Sequence, residues 1–520
     1  MSEIALLDCT LRDGGYINDW KWGERTAKDI ISLLCKSNVD VIEVGFLRNI
    51  DVFSPSQTIG NYIEELETFL PKVRPQNTIF SAMAMQSNYD ISKLSEKRTG
   101  GIDMIRITFH DYDIKEGFEF AEKVKEKGYL LSINPINIMG YTDKELIDIV
   151  RNVNLVHPYQ FSIVDTFGSM KRRDLDRIVS IVENNLLKDI RIGLHLHENM
   201  ALSFSLAQRF IDMNLKRNIT IDGSLDGMGR IPGNLPIELI ADYVNEYKNE
   251  KYDINYLLDA IECHVAPIKS RTGWGYNPSY FLSAKYNLHR NYAEYLINKG
   301  ELTNRDINCI LSRISENKKA VFDAEYAERL YVDYITNEID DKTAREQIKS
   351  LVHGKKIVII APGASINTIE KELDEVINNE DNFVIGLNFT YDEKIKCVFF
   401  GNSKRINGIT NKGDAKFITT SNIKNDFSDY VVNYNTLVDT NMTYCNSLLL
   451  LLKLLLQLGE RQVTIYGADG YGNKQEYYDN NLKSQKIHSE LYNKQIASLL
   501  KKYNLNIKFA TKSEYEKYIK

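Results

Sequence analysis

Along the first half of the chain, short apolar runs alternate with longer stretches in which apolar positions recur every three or four residues. The runs Ile4–Cys9, Val39–Phe46, Thr78–Met83, Met104–Phe109, Tyr129–Asn134, Gln160–Val164, Ile190–Leu196 and Ile219–Leu225 predict eight strands. Among the stretches between them, Glu24–Ser37, Gly117–Lys127, Asp143–Val153 and Met200–Met213 predict amphipathic helices. Eight strand–helix units in roughly 240 residues is the count and length of a (β/α)8 TIM barrel. An open doubly wound sheet has fewer strands and a glycine-rich dinucleotide fingerprint after the first one, and the sequence offers neither.

Polar residues gather where these strands end. Arg12 and Asp13 follow the first strand on a Gly14-Gly15 turn, and Glu43 and Gly45 close the second. Asp165-Thr166-Phe167-Gly168 follows the sixth, His195 and His197 end the seventh, and Asp226-Gly227-Met228-Gly229 follows the eighth. In a TIM barrel these ends surround one mouth, where active sites lie. The double glycine is expected to adopt backbone angles that other residues resist and to let a small ligand approach the main chain.

The pattern changes after the barrel. Residues 1–285 are assigned to it, 286–348 to a helical extension rich in Glu, Lys and Leu, and 349–520 to a second, Rossmann-like α/β domain. Lys349–Gly354 reads as a linker. Strands are predicted from Lys356 into Ile360, at Phe383–Leu387, Cys397–Phe400 and Gln462–Tyr466, with a long helix at Asn446–Leu458.

Composition narrows the function. The 520 residues are 43% hydrophobic and 26% charged with a net charge of −6, which describes a globular protein and argues against a general nucleic-acid binder. The most apolar run, Leu448–Leu456, is interrupted by Lys453 and ended by Gly459, so it reads as a buried helix rather than a membrane span. The N-terminus lacks a signal-peptide layout, and the six cysteines include no C-x-x-C pair. The expectation is a cytoplasmic protein with reduced thiols, and a homo-oligomer is compatible with it.

The chemistry centres on two stretches. His195 and His197 are two apart on a strand and so share a face, which at a barrel mouth is the interior. Two imidazoles with the Asp13 carboxylate form an N2O ligand set suited to Mn²⁺, Co²⁺ or Fe²⁺, and less well to Mg²⁺ or Zn²⁺.

Thr10-Leu11-Arg12-Asp13-Gly14, His195-x-His197-x-Asn199 and Gly227-x-Gly229-x-x-x-Gly233-Asn234 resemble the three signatures of the metal-dependent pyruvate aldolase and acyltransferase barrels. That superfamily includes 4-hydroxy-2-oxovalerate aldolase, hydroxymethylglutaryl-CoA lyase and isopropylmalate synthase. The resemblance covers roughly residues 4–290, and Asp165-Thr166-x-Gly168 with Ala284-Lys285-Tyr286-Asn287 leans toward the oxovalerate aldolase branch. It implies a class II aldolase, a carbon–carbon lyase, with a divalent cation, Mn²⁺ foremost, on Asp13, His195 and His197 and Asn234 as an additional ligand. It further implies that Arg12 neutralises an enolate oxygen and that Arg12, Thr166 and Glu43 contact a 2-oxo acid, with an aldehyde or sugar as acceptor.

One position departs from the family. Where the oxovalerate aldolases carry a histidine base, three residues after the Asp of the Arg-Asp pair, this chain has Tyr16, which makes Tyr16 the candidate proton-transfer residue here. Tyr276 and Tyr280 are further candidates for that shuttle.

The second domain resembles the Rossmann-type sialyltransferase-like enzymes of sugar-nucleotide metabolism in Val358-Ile-Ile-Ala-Pro-Gly-Ala-Ser365, Val384-Ile-Gly-Leu-Asn388, Val398-Phe-Phe-Gly-Asn402 and Ile465-Tyr-Gly-Ala-Asp469. That likeness implies a nucleotide or nucleotide-sugar site around Gly363, Ser365, Asn388, Asn402 and Asp469, with the turn at Ser365 offering amides to a phosphate. His488 is a candidate base there. Two functions follow from the whole chain. One is a 2-oxo acid lyase coupled to surface-glycan precursors. The other is an acetyl-CoA-dependent C-acyltransferase of the isopropylmalate synthase kind, with a C-terminal binding module.

Overall fold

All eight expected barrel strands form, at Ile4–Asp8, Val41–Leu47, Ile79–Met85, Met104–Phe109, Leu130–Pro135, Gln160–Asp165, Arg191–Leu196 and Ile219–Gly223. The structure is a computed structural model and describes residues 3–248, 250–409, 412–439, 446–472, 477–478 and 489–519. Every pairing in the barrel is parallel, and the first strand closes it by pairing both with the second, Leu7 beside Val41, and with the eighth, Ala5 beside Thr220. The fold is a TIM barrel. A two-residue strand, Ile59–Gly60, adds to the second strand and carried no signal in the sequence.

Strand parity separates two interiors. Leu6, Ile42, Ile105, Leu194 and Ile221 pack with helix residues such as Ile30, Leu34 and Val124 in one continuous core outside the barrel. In the helix Glu24–Lys36 the buried residues are Ala27, Ile30, Ile31 and Leu34, the spacing of one helical face. Each large aliphatic side chain buried this way contributes about 1.5–3 kcal/mol. The alternate strand positions face inward. Leu7, Cys9, Val41 and Met104 form a separate apolar cluster. Further along the strands the inward positions become charged: Glu43, Arg106, His195 and Asp222 are all buried.

Two local expectations are corrected. Gly14 has φ −59° and Gly15 begins a short helix, Gly15–Asn18, so neither adopts a left-handed backbone. A Cβ on Gly14 would lie 2.4 Å from the Thr10 carbonyl oxygen, and one on Gly15 would lie 2.1 Å from the Trp20 ring. Close packing, not handedness, calls for glycine there. The segment read as a linker is also partly helical. Lys342–Val352 is a helix whose Ile348 and Val352 are buried, four residues apart on one face.

The chain divides into two compact units, Met1–Arg290 with Ser315–Phe322, and Asn291–Ile314 with Asp323–Lys520. The second unit holds a seven-stranded parallel sheet in the order Tyr430–Val432, Lys416–Thr420, Cys397–Phe400, Asn382–Leu387, Lys356–Ile360, Gln462–Tyr466, Asn506–Phe509. Three of these strands, Lys416–Thr420, Tyr430–Val432 and Asn506–Phe509, were not expected from the sequence. Sequence order runs outward from Lys356–Ile360 in one direction and then restarts on its other side. That reversal creates a switch point, where open parallel sheets have their crevice. The leucine-rich segment is the helix Ser447–Leu458, capped by the Asn446 side chain and largely buried. Lys453, the charge within it, donates to the Val438 carbonyl at 3.1 Å. Among the described residues no helix is long and apolar enough to cross a membrane.

Candidate metal centre

The first strand delivers Asp13 and the seventh delivers His195 and His197 to the same point. One ligand atom from each lies within 4.8 Å of the others. The two imidazole centroids are 4.9 Å apart with planes at 80°, and His197 Nε2 is 3.9 Å from Asp13 Oδ2.

Second partners orient both rings. His197 Nδ1 is 2.8 Å from the Asp165 carbonyl oxygen, and His195 Nδ1 is 3.1 Å from Asp222 Oδ2. A carbonyl or carboxylate only accepts, so in the neutral rings Nδ1 carries the proton and Nε2 presents its lone pair. Burial, reinforced by His195, pulls His197 down to about 4, which keeps that ring neutral near pH 7. For Asp13, burial acts to raise the value, but Arg12, His197 and His195 outweigh it and hold the carboxyl well below the usual range. It is therefore ionised.

Two buried oxygens here lack a hydrogen-bond partner, Asp13 Oδ2 and Asn234 Oδ1. Gly229 abuts both residues, since a Cβ there would lie 2.4 Å from Asn234 Nδ2 and 3.1 Å from Asp13 Oδ2. Buried oxygens without donors are costly unless a cation or donor meets them. With two lone-pair nitrogens beside them, the donor set fits a divalent cation.

A chain of opposite charges connects the two sides of this centre. Arg12 Nη1 is 2.5 Å from Asp13 Oδ1, and Arg12 Nε is 2.7 Å from Glu43 Oε2. Glu43 Oε1 in turn lies 3.1 Å from Arg106 Nη1, and Arg106 Nη2 pairs with Asp222. Asp222 then returns to His195. The run Asp13, Arg12, Glu43, Arg106, Asp222, His195 is buried throughout. Both Glu43 oxygens face guanidinium groups, which makes it a bridge between arginines and not a group turned to the open mouth.

Arg106 and Asp222 escaped the sequence reading. Their signal was present: each is a charged residue at an inward position of an otherwise apolar strand, Met-Ile-Arg-Ile-Thr-Phe and Ile-Thr-Ile-Asp-Gly.

Thr166 lies on the loop after the sixth strand. Its hydroxyl oxygen accepts from the Asn137 amide at 2.7 Å, which leaves its proton to donate. Asn199 is buried against Gly168, whose φ is +59°, joining the loops after the sixth and seventh strands. Tyr16 is 37% exposed and stacks edge-on against Trp20 at 4.7 Å. Burial of its hydroxyl and the Asp13 charge raise its pKa, so it holds its proton more firmly than an ordinary tyrosine. Of the two further tyrosines, Tyr280 is buried and Tyr276 is exposed.

In the second unit, Gly363, Ser365 and Asp469 come together at the switch point. Asp469 Oδ2 accepts from the Ser365 amide at 3.0 Å and the Ser365 hydroxyl donates to the same carboxylate. The amide offered to a phosphate in the sequence reading is thus taken by an internal anion. Asn388 accepts from the Gly401 amide at 3.1 Å, and Asn402 caps the short helix Ser403–Ile406. His488 lies outside the described residues.

A closed parallel barrel with an aspartate, two histidines and a buried guanidinium at its mouth defines a TIM barrel with a candidate cation site. The HMGL-like family matches residues 3–263, just over half of the chain, and the chain belongs to that family. It is similar to an oxaloacetate decarboxylase of Mycobacterium tuberculosis, 23% identical over 44% of this chain and 67% of the relative. It is likewise similar to a 4-hydroxy-2-oxovalerate aldolase of Geobacillus genomosp. 3, 23% identical over 51% of this chain and 77% of the relative. Among solved structures, the N-terminal domain of a proposed aldolase from Bacteroides vulgatus matches with TM-score 0.49 and 24% identity, over 56% of this chain and 96% of that domain.

Proposed function

We propose that the barrel is a divalent-metal-dependent carbon–carbon lyase acting on a 2-oxo acid through a pyruvate-type enolate. The observation that supports it best is the pair of unpartnered buried oxygens, Asp13 Oδ2 and Asn234 Oδ1, beside two histidine nitrogens and next to a fixed guanidinium. Asp13, His195 and His197 would hold the cation, with Asn234 adjacent. Such a cation is a Lewis acid that polarises a keto oxygen. Arg12, immobilised by Asp13 and Glu43, supplies positive charge that needs no reorganisation as an enolate oxygen develops. Thr166 donates its hydroxyl proton to the substrate carboxylate. Glu43 acts through Arg12 as a positioning residue. Tyr16, protonated near neutral pH, fits the role of proton donor better than that of base.

The relatives support the substrate class. Oxaloacetate and 4-hydroxy-2-oxovalerate are both 2-oxo acids whose C3–C4 cleavage leaves the enolate of pyruvate. The N2O donor set suits Mn²⁺, Co²⁺ or Fe²⁺, and Mn²⁺ is the cation we propose to test first. The acyltransferase alternative draws no specific support from the site.

Exchange of the pyruvate C3 protons in D₂O, followed by NMR, tests the proposal without any acceptor. Exchange that requires Mn²⁺ and is lost in Asp13→Ala and His195→Ala is the expected result. No exchange in the wild-type protein overturns it, and thiol release from acetyl-CoA with a 2-oxo acid would then favour the acyltransferase.

A further inference from the structure

We infer that Trp20 is a positioning residue for the Arg12-Asp13 pair: its indole N–H clamps the peptide that joins the fixed guanidinium to the candidate metal carboxylate. The inference rests on the metal-dependent 2-oxo acid reading above and names the residue that holds that pair in register.

Trp20 Nε1 donates to the Arg12 carbonyl at 2.7 Å. The preceding carbonyl, that of Leu11, accepts from the Thr58 hydroxyl at 2.7 Å. The two donors are themselves joined, because Thr58 N donates to Trp20 O at 3.1 Å. Thr58 O in turn accepts from Phe46 N, on the second barrel strand, at 2.9 Å. From the first strand's side, Asp13 N donates to Cys9 O at 2.7 Å. The Arg12-Asp13 peptide is thus held between two neighbouring strands, and Trp20 is the side chain that grips it directly.

The chain takes up an unfavourable backbone to deliver this contact. Asp19 and Trp20 are consecutive left-handed residues, with φ 54° and 57°, a conformation that bulky side chains rarely adopt. Trp20 N donates to Gly15 O at 2.9 Å, and the indole lies so close over Gly15 that a Cβ there would be 2.1 Å from the ring. The ring packs with Phe46, Ile59 and Met83 in a cluster apart from the main core, and Tyr16 meets it edge-on at 4.7 Å. Burial of an indole does not by itself account for the hydrogen bond. Trp22, two residues on, is also buried, and among the described residues its Nε1 has no partner. Backbone strain persists where the surroundings over-determine it, and it collects at functional sites. What is over-determined here is the aim of one N–H at the Arg12 carbonyl.

The test uses the full-length protein. Trp20→Phe keeps an aromatic ring in the cluster and removes the donor. Its Kd for Mn²⁺, measured by electron paramagnetic resonance of the free ion, is expected to rise about 10-fold, as for loss of a contact behind a metal ligand. At saturating Mn²⁺, kcat for pyruvate C3–H exchange is expected to fall about 10-fold with KM unchanged within about twofold, since Arg12 acts on charge that develops in the transition state. Gly15→Ala pushes the ring aside while leaving Trp20 in the chain. It is expected to do the same, and it carries the test if Trp20→Phe misfolds. Met83→Leu, a volume-conserving change in the same cluster, is expected to keep the wild-type Mn²⁺ affinity. A lower melting temperature in Trp20→Phe with Mn²⁺ affinity and kcat unchanged makes Trp20 merely structural and overturns the inference, as does an equal loss of affinity in Met83→Leu. The two claims fail separately. Weakened Mn²⁺ binding in Trp20→Phe with no exchange in the wild type keeps the clamp and removes the 2-oxo acid reading. Wild-type exchange that neither Trp20→Phe nor Gly15→Ala alters removes the clamp alone, and no Mn²⁺ binding by the wild type removes both.

Discussion

The carboxylate of Asp222 joins a buried arginine to a candidate metal ligand: Oδ2 pairs with Arg106 and stands 3.1 Å from His195 Nδ1. It therefore sets which nitrogen of His195 faces the centre. Asp222→Asn replaces an obligate acceptor with a group that can also donate, so the Nδ1 proton is no longer enforced. We expect Mn²⁺ affinity to fall about 10–100-fold, the usual cost of losing an outer-shell partner. Electron paramagnetic resonance of free Mn²⁺ during titration measures it, and unchanged affinity would show the contact to be structural only.

Metal removal should register as stability. A ligand at about 100 times its Kd stabilises the folded state by about 2.7 kcal/mol, which for a unit of this size is several degrees in Tm. We expect Mn²⁺ to raise the melting temperature of the wild-type protein and EDTA to reverse the rise. In Asp13→Ala neither addition should move it.

Thr166 accepts one hydrogen bond, from the Asn137 amide, and under the proposed function gives its hydroxyl proton to the substrate carboxylate. Thr166→Ser keeps the hydroxyl for both, whereas Thr166→Val keeps the shape and loses it. We expect Val to raise KM for the 2-oxo acid about 10-fold, as one charge-assisted hydrogen bond would require, and Ser to stay near wild type. Steady-state kinetics of the two variants side by side decides it.

The pH dependence of stability has a predictable sign at Asp8. Burial, with the nearby charges of Glu43 and Glu238, pushes its carboxyl up to about 7 against the hydrogen bonds from Thr10. An unfolded Asp titrates near about 4, so between about pH 4 and 7 the folded state holds a proton that the unfolded state has released. The stability tied to that proton is complete below about pH 4 and is lost as pH rises to about 7. Asp8→Asn cannot ionise, so its melting temperature should fall less than that of the wild type between pH 5 and pH 8. Parallel curves would place the Asp8 carboxyl at an ordinary value.

The sequence disclosed what local pattern can encode. Eight apolar runs with the helical period between them were enough for the barrel, and chemically loaded strand ends were enough to bring Asp13, His195 and His197 together. What it hid depends on distance in the chain. Glu43, Arg106 and Asp222 lie on three different strands, so nothing short-range says that one carboxylate bridges two arginines. Glu43 was accordingly read as a substrate contact. In the second unit the strand–turn segment ending at Ser365 promised free amides, but Asp469, 104 residues away, supplies the acceptor. Gly14 and Gly15 were visible as a pair, while the reason for them, the nearness of Thr10 O and Trp20, exists only in three dimensions.

The alternating run from Asp13 to His195 also constrains how such a barrel can diversify. Carboxylates and guanidinium groups take turns along it, so neutralising any one member strands a buried neighbour. Single substitutions within the run are traps, and viable routes through it need two changes at once, with strong non-additivity between neighbours. Tyr16, 37% exposed, lies outside that run, so a change there leaves no buried charge without its partner. New substrate preferences in this scaffold are thus most accessible by stepwise change at the rim, with the interior circuit inherited intact.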